Sequence, residues 1–376
     1  MIDRILYKKI KTRLFNGKAI IILGPRRVGK TTLLKKIEAD IGEKTLFLDG
    51  DEPDVRKRLS DTSSSELKKL IGGNKVLMID EAQRVKNIGV TLKLITDKIP
   101  GVQVIATGSS SFELANQIRE PLTGRKYEYH LFPFSEGELV GHNGETEERR
   151  LLESRLIYGM YPEVVLPPGG REKETLREFS GSYLYKDVFA FNEIRKPEII
   201  QKLVEALALQ IGSEVSINEL AQLTGSDPLT VERYLGLLEN AFVIFRLRAF
   251  SRNVRNELKK SRKFYFYDNG IRNAVISNFN SLSLRSDTGA LWENFIISER
   301  MKYIHYHDIY SNCYFWRTTQ QQEIDYVEER DGKLHAFEFK WNPNRKVSFP
   351  KTFAGAYPGS EMKVINREDV IDWLKE

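Results

Sequence analysis

The segment Gly24–Thr31 reads GPRRVGKT, and it leaves little freedom for the first part of this chain. It satisfies the pattern G-x-x-x-x-G-K-[ST] in full. An apolar run, Ala19–Leu23, precedes it, and a helical stretch, Thr31–Ala39, follows. Such a loop needs glycines so that backbone amides can wrap an anion at a helix N-terminus. It therefore demands a strand behind it, a helix in front and a sheet to hold both. Gly24, Pro25, Arg26, Arg27, Val28, Gly29, Lys30, Thr31 and Thr32 are the expected ATP-binding residues. Lys30 should reach the β- and γ-phosphates, and the Thr31 hydroxyl should ligate Mg2+. At average residue usage a chain of this length meets the pattern by chance about once in a hundred. The competing reading is a glycine turn that binds no nucleotide.

Four further apolar runs, Thr45–Leu48, Val76–Ile79, Val102–Thr107 and Tyr127–Leu131, alternate with helical stretches. That is the pattern of parallel strands joined by crossover helices. VLMIDE (76–81) ends its run in two acids. Asp80 is expected to hold Mg2+ through water, and Glu81 to act as the base for an attacking water. A kinase for a small molecule would not need the second acid, so the pair favours hydrolysis. A buried strand that merely ends in two acids is the alternative. The next run ends in TGSSS, where Thr107 and Ser109 are candidate sensors of the γ-phosphate. Arg125, in LTGR, is a candidate arginine finger for a neighbouring subunit of a homo-oligomer; a plain surface arginine competes with that reading.

Bulk properties bound the rest. At 376 residues and 41% hydrophobic content the chain can bury the cores of two or three domains. Cys313 is the only cysteine, so no internal disulfide forms and a reducing, cytoplasmic setting is the default. The opening MIDRILYKKIKTRLF carries charges in every turn and has no apolar signal core. No apolar run approaches the roughly 18 residues of a membrane span, so no membrane partner is expected. The net charge is +6, and it is uneven. Arg246, Arg248, Arg252, Arg255, Lys259, Lys260, Arg262 and Lys263 face one acid, Glu257, in a single segment of net +7. Phe245, Phe250 and Phe264 interleave it. A polyanion-facing surface and an ordinary solvated face both fit.

In the middle of the chain, Ser216-Ile-Asn-Glu219 is a capping box that opens a helix through Leu223. Gly225 makes a turn, and Asp227 then caps a second helix with Pro228 at its first position. Val231, Tyr234, Leu235 and Leu238 form its apolar stripe. AFVIFRLRAF reads as a β-wing, which together suggests a DNA-binding winged helix. The second helix exposes Glu232, Arg233 and Glu239, a poor reading face, so a packing role is the competing view.

Near the C-terminus, EIDYVEERDGKLHAFEFK (323–340) contains Asp-x12-Glu-x-Lys. Asp331-Gly332 signals a two-residue hairpin turn that pairs Arg330 with Lys333. Asp325 then opposes Glu338, and Glu323 opposes Lys340. Alternation puts those four on one face, with Ile324, Tyr326, Phe337 and Phe339 on the other. Opposed carboxylates with Cβ atoms about 5 Å apart repel each other. A divalent cation would turn that repulsion into ligation, with Lys340 stabilising a phosphorane or positioning water. Glu293, on the helical stretch Ala290–Tyr303, is a candidate third ligand. The alternative is a surface hairpin whose acids pair with Lys340 and Arg317. His305, His307 and Cys313 lack a convincing fourth ligand for zinc.

GPRRVGKTTLL, DEAQR around Asp80, TGSSS, LTGR with FPFSEGEL, GMYPEVV (159–165), RYLGLLENAFVIFRL and FYFYDNGIRNA (264–274) together resemble a prokaryotic AAA-type ATPase family over nearly the whole chain. Its members join an N-terminal P-loop domain to a C-terminal part similar to the restriction-endonuclease-like superfamily. The resemblance implies an extra strand between the P-loop strand and the Asp80 strand. The expected fold is thus α/β: a P-loop NTPase (AAA/ASCE type) parallel sheet over 1–150 and a helical lid or linker over 151–212. A winged helix over 213–252 and an α/β PD-(D/E)xK nuclease-like domain over 253–376 complete it. The expected function is ATP binding and hydrolysis with Mg2+, acting on nucleic acid, DNA in particular, through a metal-dependent site at Asp325, Glu338 and Lys340. The alternative is a nucleotide-switched signalling or scaffold ATPase whose C-terminal domain only binds.

Overall fold

The computed structural model describes residues 2–108, 118, 120–166, 169–183, 196–252 and 262–375. The chain divides into two compact units: Met1–Pro133 with Asn240–Phe242, and Phe134–Glu239 with Val243–Glu376.

The first unit is built on strands β1 (Ala19–Leu23), β2 (Thr45–Asp49), β3 (Val76–Asp80), β4 (Gln103–Gly108) and β5 (Lys126–His130). They form one sheet in the order β2-β3-β4-β1-β5, with every pair parallel. These are the five apolar runs of the sequence. β4 lies between β1 and β3, the extra strand that the resemblance implies. All residues of β1, β3 and β4 are buried, so they read as unbroken apolar runs rather than as alternation. The edge strands β2 and β5 are only partly buried. Helices Ile5–Arg13, Lys30–Ile41, Pro53–Leu59, Ser64–Ile71 and Ile88–Lys98 belong to the same unit. Because the strands run parallel, the segments that follow β1, β3 and β4 emerge at the same sheet edge. Gly24 begins the first of them. A Cβ there would lie 2.1 Å from the Leu131 carbonyl oxygen, so only glycine fits.

The second unit holds a seven-stranded sheet. Its strands are β6 (Glu214–Val215), β7 (Ile244–Ala249), β8 (Arg262–Phe266), β9 (Asn312–Arg317), β10 (Glu323–Arg330), β11 (Lys333–Phe339) and β12 (Glu361–Ile365), in the order β12-β11-β10-β9-β7-β8-β6. Helices Ile217–Thr224 and Pro228–Asn240 stand between β6 and β7. The first is capped by Ser216, which accepts from the Glu219 amide, and ends at left-handed Gly225. The Asp227 carboxylate accepts from the Thr230 amide at 2.9 Å, capping the second. β7 and β8 form an antiparallel pair, and the far side of β7 joins β9 in parallel at Arg248–Tyr314 and Ala249–Phe315. One sheet therefore runs from residue 214 to 365.

The β10–β11 turn has Asp331 at φ 51° and Gly332 at φ 76°, the two left-handed positions that a type I′ hairpin needs. Arg330 pairs with Lys333 as the turn predicts, and the register continues to Tyr326–Phe337. Strict alternation does not survive, however. A bulge shifts β10 against β9 between Ile324 and Val327. Ile324 consequently packs with Val327, Leu334, Ala336 and Phe353. Tyr326 instead meets the rings of Phe337 and Phe339, which lie against Trp373. An extra residue reverses the side-chain direction beyond it. Both faces of the hairpin are thus covered, and it is not a surface hairpin.

Two motifs of the sequence turn out to be halves of one joint. The buried Asp268 carboxylate accepts from the amides of Met160 (2.7 Å) and Ile271 (3.1 Å). The Asn273 amide donates to the carbonyls of Leu156 (3.1 Å) and Ile157 (2.8 Å). GMYP and YDNG meet so closely that a Cβ on Gly270 would lie 2.1 Å from the Tyr158 carbonyl oxygen. Gly270→Ala is expected to cost about 1–3 kcal/mol, read as a lower urea midpoint at unchanged m-value.

Candidate functional site

The loop after β1 turns through left-handed Arg27 (φ 63°) and Gly29 (φ 95°) before the helix starts at Lys30. Val28 is buried and anchors the loop, while Thr32 is exposed on the first turn. Lys30 is itself buried, and its ammonium donates to the carbonyls of Gly24 and Pro25, both at 2.9 Å. The Thr31 hydroxyl donates to Asp80 Oδ2 at 2.5 Å. The Thr107 hydroxyl, from the end of β4, donates to Asp80 Oδ1. The Glu81 amide reaches both Thr107 Oγ1 and Asp80 Oδ1 at 3.2 Å. One buried carboxylate at the end of β3 thus ties together the helix that follows β1, the end of β4 and the turn at Glu81.

Glu81 itself has left-handed backbone (φ 47°). Gly50 presses against it from the end of β2: its amide donates to the Asp80 carbonyl at 2.9 Å, and a Cβ there would lie 2.4 Å from the Glu81 carbonyl oxygen. The Gln83 amide donates to Glu81 Oε2 at 2.5 Å. Neither Gly50 nor Gln83 stands out in the sequence, because their proximity to Glu81 depends on the parallel pairing of β2 with β3 and on the tight turn after Asp80.

Two other candidates fall elsewhere. Ser109 lies outside the described residues. Arg125 precedes β5, at the end where Ala19 pairs with Lys126, whereas the loop leaves β1 at the end where Leu23 pairs with His130. A strand of five residues, about 16 Å, separates the two ends. Arg125 is paired there with Asp97 at 2.7 Å and does not reach the loop of its own chain.

In the second unit, Lys340 Nζ sits between Asp325 Oδ2 (3.0 Å) and Glu338 Oε2 (2.7 Å). Asp325 Oδ2 also accepts from the Phe339 amide at 2.8 Å. Lys263, from β8, is buried and meets Glu293 Oε1 at 3.1 Å and Glu323 Oε1 at 2.5 Å. Tyr265 donates to the same Glu293 oxygen at 2.6 Å. Glu323 therefore takes Lys263 and Arg317 (3.5 Å) as partners rather than Lys340. Sequence reasoning left Lys263 in the basic segment; it is the central cation of this cluster. Burial, reinforced by the charge of Asp325, raises Glu338 to about 7. Burial also raises Glu293 to about 7, against the pull of Lys263. Among the described residues no group of three or more His, Cys, Asp or Glu is arranged to hold a metal ion.

Three of the five described cations in the segment of net +7, Arg246, Arg262 and Lys263, are paired with acids, while Arg248 is exposed. Arg246 pairs with Glu239 at 2.6 Å and Glu232 at 2.8 Å, and Arg262 pairs with Glu232 at 2.6 Å. Arg252 lies over the Tyr357 ring. Arg255, Lys259 and Lys260 fall outside the described residues. The acids that spoil the second helix as a reading face are the ones that hold these arginines.

Residues 16–140 match a family model described as a AAA domain. The chain carries a AAA-type P-loop domain. Residues 149–282 match a domain of unknown function (DUF8612), and residues 288–374 match another (DUF4143). Uncharacterized proteins of Mycobacterium tuberculosis and Mycobacterium bovis are each 25% identical over 344 residues, 90% of this chain and 74% of theirs. One from Methanocaldococcus jannaschii is 26% identical over 320 residues, 79% of this chain and 69% of its own. Among solved structures, Drosophila ORC bound to AT-rich DNA and Cdc6 is 11% identical, covering 72% of this chain and 89% of that chain, with a TM-score of 0.27. A Pif1 helicase structure on forked dsDNA is 17% identical, covering 48% and 52%, with a TM-score of 0.25. At such scores these two add nothing to the assignment, which rests on the AAA match and the strand order. No helix among the described residues is long and apolar enough to cross a membrane.

The acid cluster makes stability pH-dependent. A carboxyl raised from 4.5 to about 7 keeps its proton in the native state and loses it on unfolding within that window. Its contribution is full below pH 4.5, declines as pH rises and levels off above about 7. Glu338→Gln is expected to remove on the order of 2 kcal/mol of that decline, measured as urea midpoints of nucleotide-free, metal-free protein from pH 5 to 8.

Proposed function

We propose that this chain is an ATP-binding and ATP-hydrolysing AAA-type ATPase that acts on nucleic acid, DNA in the first instance, through its second unit. The observation that carries the ATPase reading is the sharing of Asp80 by Thr31 and Thr107, with Lys30 beside them and Glu81 next in sequence. When the nucleotide binds, Lys30 exchanges the carbonyls of Gly24 and Pro25 for β- and γ-phosphate oxygens. The Thr31 hydroxyl and the Asp80 carboxylate are hard oxygen donors of the kind Mg2+ takes, and they are the residues that would hold it. The metal supplies charge neutralisation to the phosphates. Glu81 accepts a proton from water as the water oxygen bonds to the γ-phosphorus. The bond from that phosphorus to the β–γ bridging oxygen breaks, leaving ADP and phosphate. Thr107 keeps Asp80 fixed.

For the second unit the proposal is a winged helix merged with a nuclease-like sheet. The order helix, β6, two helices, β7, β8, with β8 between β6 and β7, supports the winged-helix part. Four acids gathered on two lysines support the nuclease-like part. Asp325 and Glu338 would hold the cation, and Lys340, released from between them, would meet the phosphate. One observation favours the rival, a scaffold ATPase with a binding module: Lys340 already satisfies both acids.

Two experiments decide. Lys30→Ala should abolish nucleotide binding. Glu81→Gln should bind ATP normally and hydrolyse it at least about 100-fold more slowly; turnover at the parent rate removes Glu81 as the base. In nucleotide-free Lys30→Ala protein, Mn2+ at about 100 times its dissociation constant should stabilise the fold by about 2.7 kcal/mol. Asp325→Ala should erase that response, while melting indifferent to Mn2+ would select the binding module.

A further inference from the structure

We propose that Gln83 is a positioning residue of the ATPase centre, whose buried side-chain amide fixes the carboxylate of Glu81. The proposal rests on the reading of Glu81 as the base. Gln83 is 6% exposed, and its Nε2 donates to Glu81 Oε2 at 2.5 Å. A contact between residues two apart needs a special backbone, and the chain provides one. Glu81 is left-handed, and the 3-10 turn Ala82–Arg84 follows it, closed by the Arg84 amide on the Glu81 carbonyl at 3.0 Å. That turn swings residue 83 back toward residue 81. A left-handed non-glycine residue costs about 1 kcal/mol or more and persists only where its surroundings enforce it. Here Gly50 blocks relaxation on one side, and the Thr107 hydroxyl holds the Glu81 amide on the other.

The chemistry of the donor fits the role. A lysine or arginine in this place would hold Glu81 ionised and weaken it as a base. A neutral amide donates one hydrogen bond to Oε2, orients the group, and leaves Oε1 for the proton. Among the described residues no lysine or arginine is paired with Glu81.

Gln83→Met keeps the shape and removes the donor. Its kcat is expected to fall about tenfold, with KM for ATP within about twofold of the parent value. Gln83→Glu, which sets a like charge beside Glu81, should lower kcat further. In a Glu81→Gln background, Gln83→Met should slow single-turnover hydrolysis no further. An unchanged kcat in Gln83→Met would overturn the proposal. So would an equal further loss in the Glu81→Gln background, which marks a purely structural effect. Parent-rate turnover by Glu81→Gln alone would instead sink the base assignment, so the two failures are distinguishable. If Gln83→Met does not fold, Gln83→Asn, an amide too short to reach, must show the same fall in kcat with KM kept; parent turnover there overturns the proposal equally.

Discussion

The first unit depends on a single buried carboxylate. Asp80 sits at the end of a fully buried strand, and such a group is stable there only with hydrogen-bond donors arranged around it. Thr31 supplies one from the helix after β1 and Thr107 another from the end of β4. That requires β4 to lie between β1 and β3 and all three strands to point the same way. Two backbone approaches follow from this convergence. Gly24 lies against Leu131, and Gly50 lies against Glu81, each too close for a side chain. The left-handed backbone of Glu81 is a further consequence of squeezing three segments onto one acid.

In the second unit the organising interaction is also electrostatic, but it is spread over more groups. Burial of Lys263 and Lys340 among Glu293, Glu323, Asp325 and Glu338 leaves more acid than base. Each lysine offsets part of the desolvation of its partners, and the excess shows as carboxyls raised to about 7. Such a cluster is held together at an electrostatic cost. The same unit spends Arg246 and Arg262 on Glu232 and Glu239, so its basic segment is less available to a polyanion than the residue count suggests.

Much of the first unit was legible in the sequence because its signals are local or strictly periodic. The P-loop pattern, five apolar runs and the acids after Val76–Ile79 each stand in one short window. Asp331-Gly332 likewise set the hairpin register through the conformation of two residues. What escaped depends on contacts distant in sequence. Alternation along Glu323–Tyr326 fails because a bulge against β9 adds a residue, and nothing in the β10 sequence announces it. Lys263 looks like one more member of a basic run until β8 is placed beside β9 and β10. Arg125, a finger candidate for a neighbouring subunit, lies at the end of the sheet away from its own chain's loop, which only the parallel register reveals. GMYP and YDNG, about a hundred residues apart, are one joint only after folding.

Asp80→Asn tests the proposed ATPase centre most directly when ATP affinity is titrated with and without Mg2+ alongside turnover. The asparagine keeps the shape, its Oδ1 able to accept from Thr107 and its Nδ2 to donate to the Thr31 hydroxyl, but it loses the charge that would face the metal. ATP should bind the variant about equally well with and without Mg2+, and turnover should fall at least about 100-fold. An Asp80→Asn protein that retained the Mg2+-dependent gain in affinity and the parent rate would contradict the assignment of this carboxylate, and with it the ATPase centre described above.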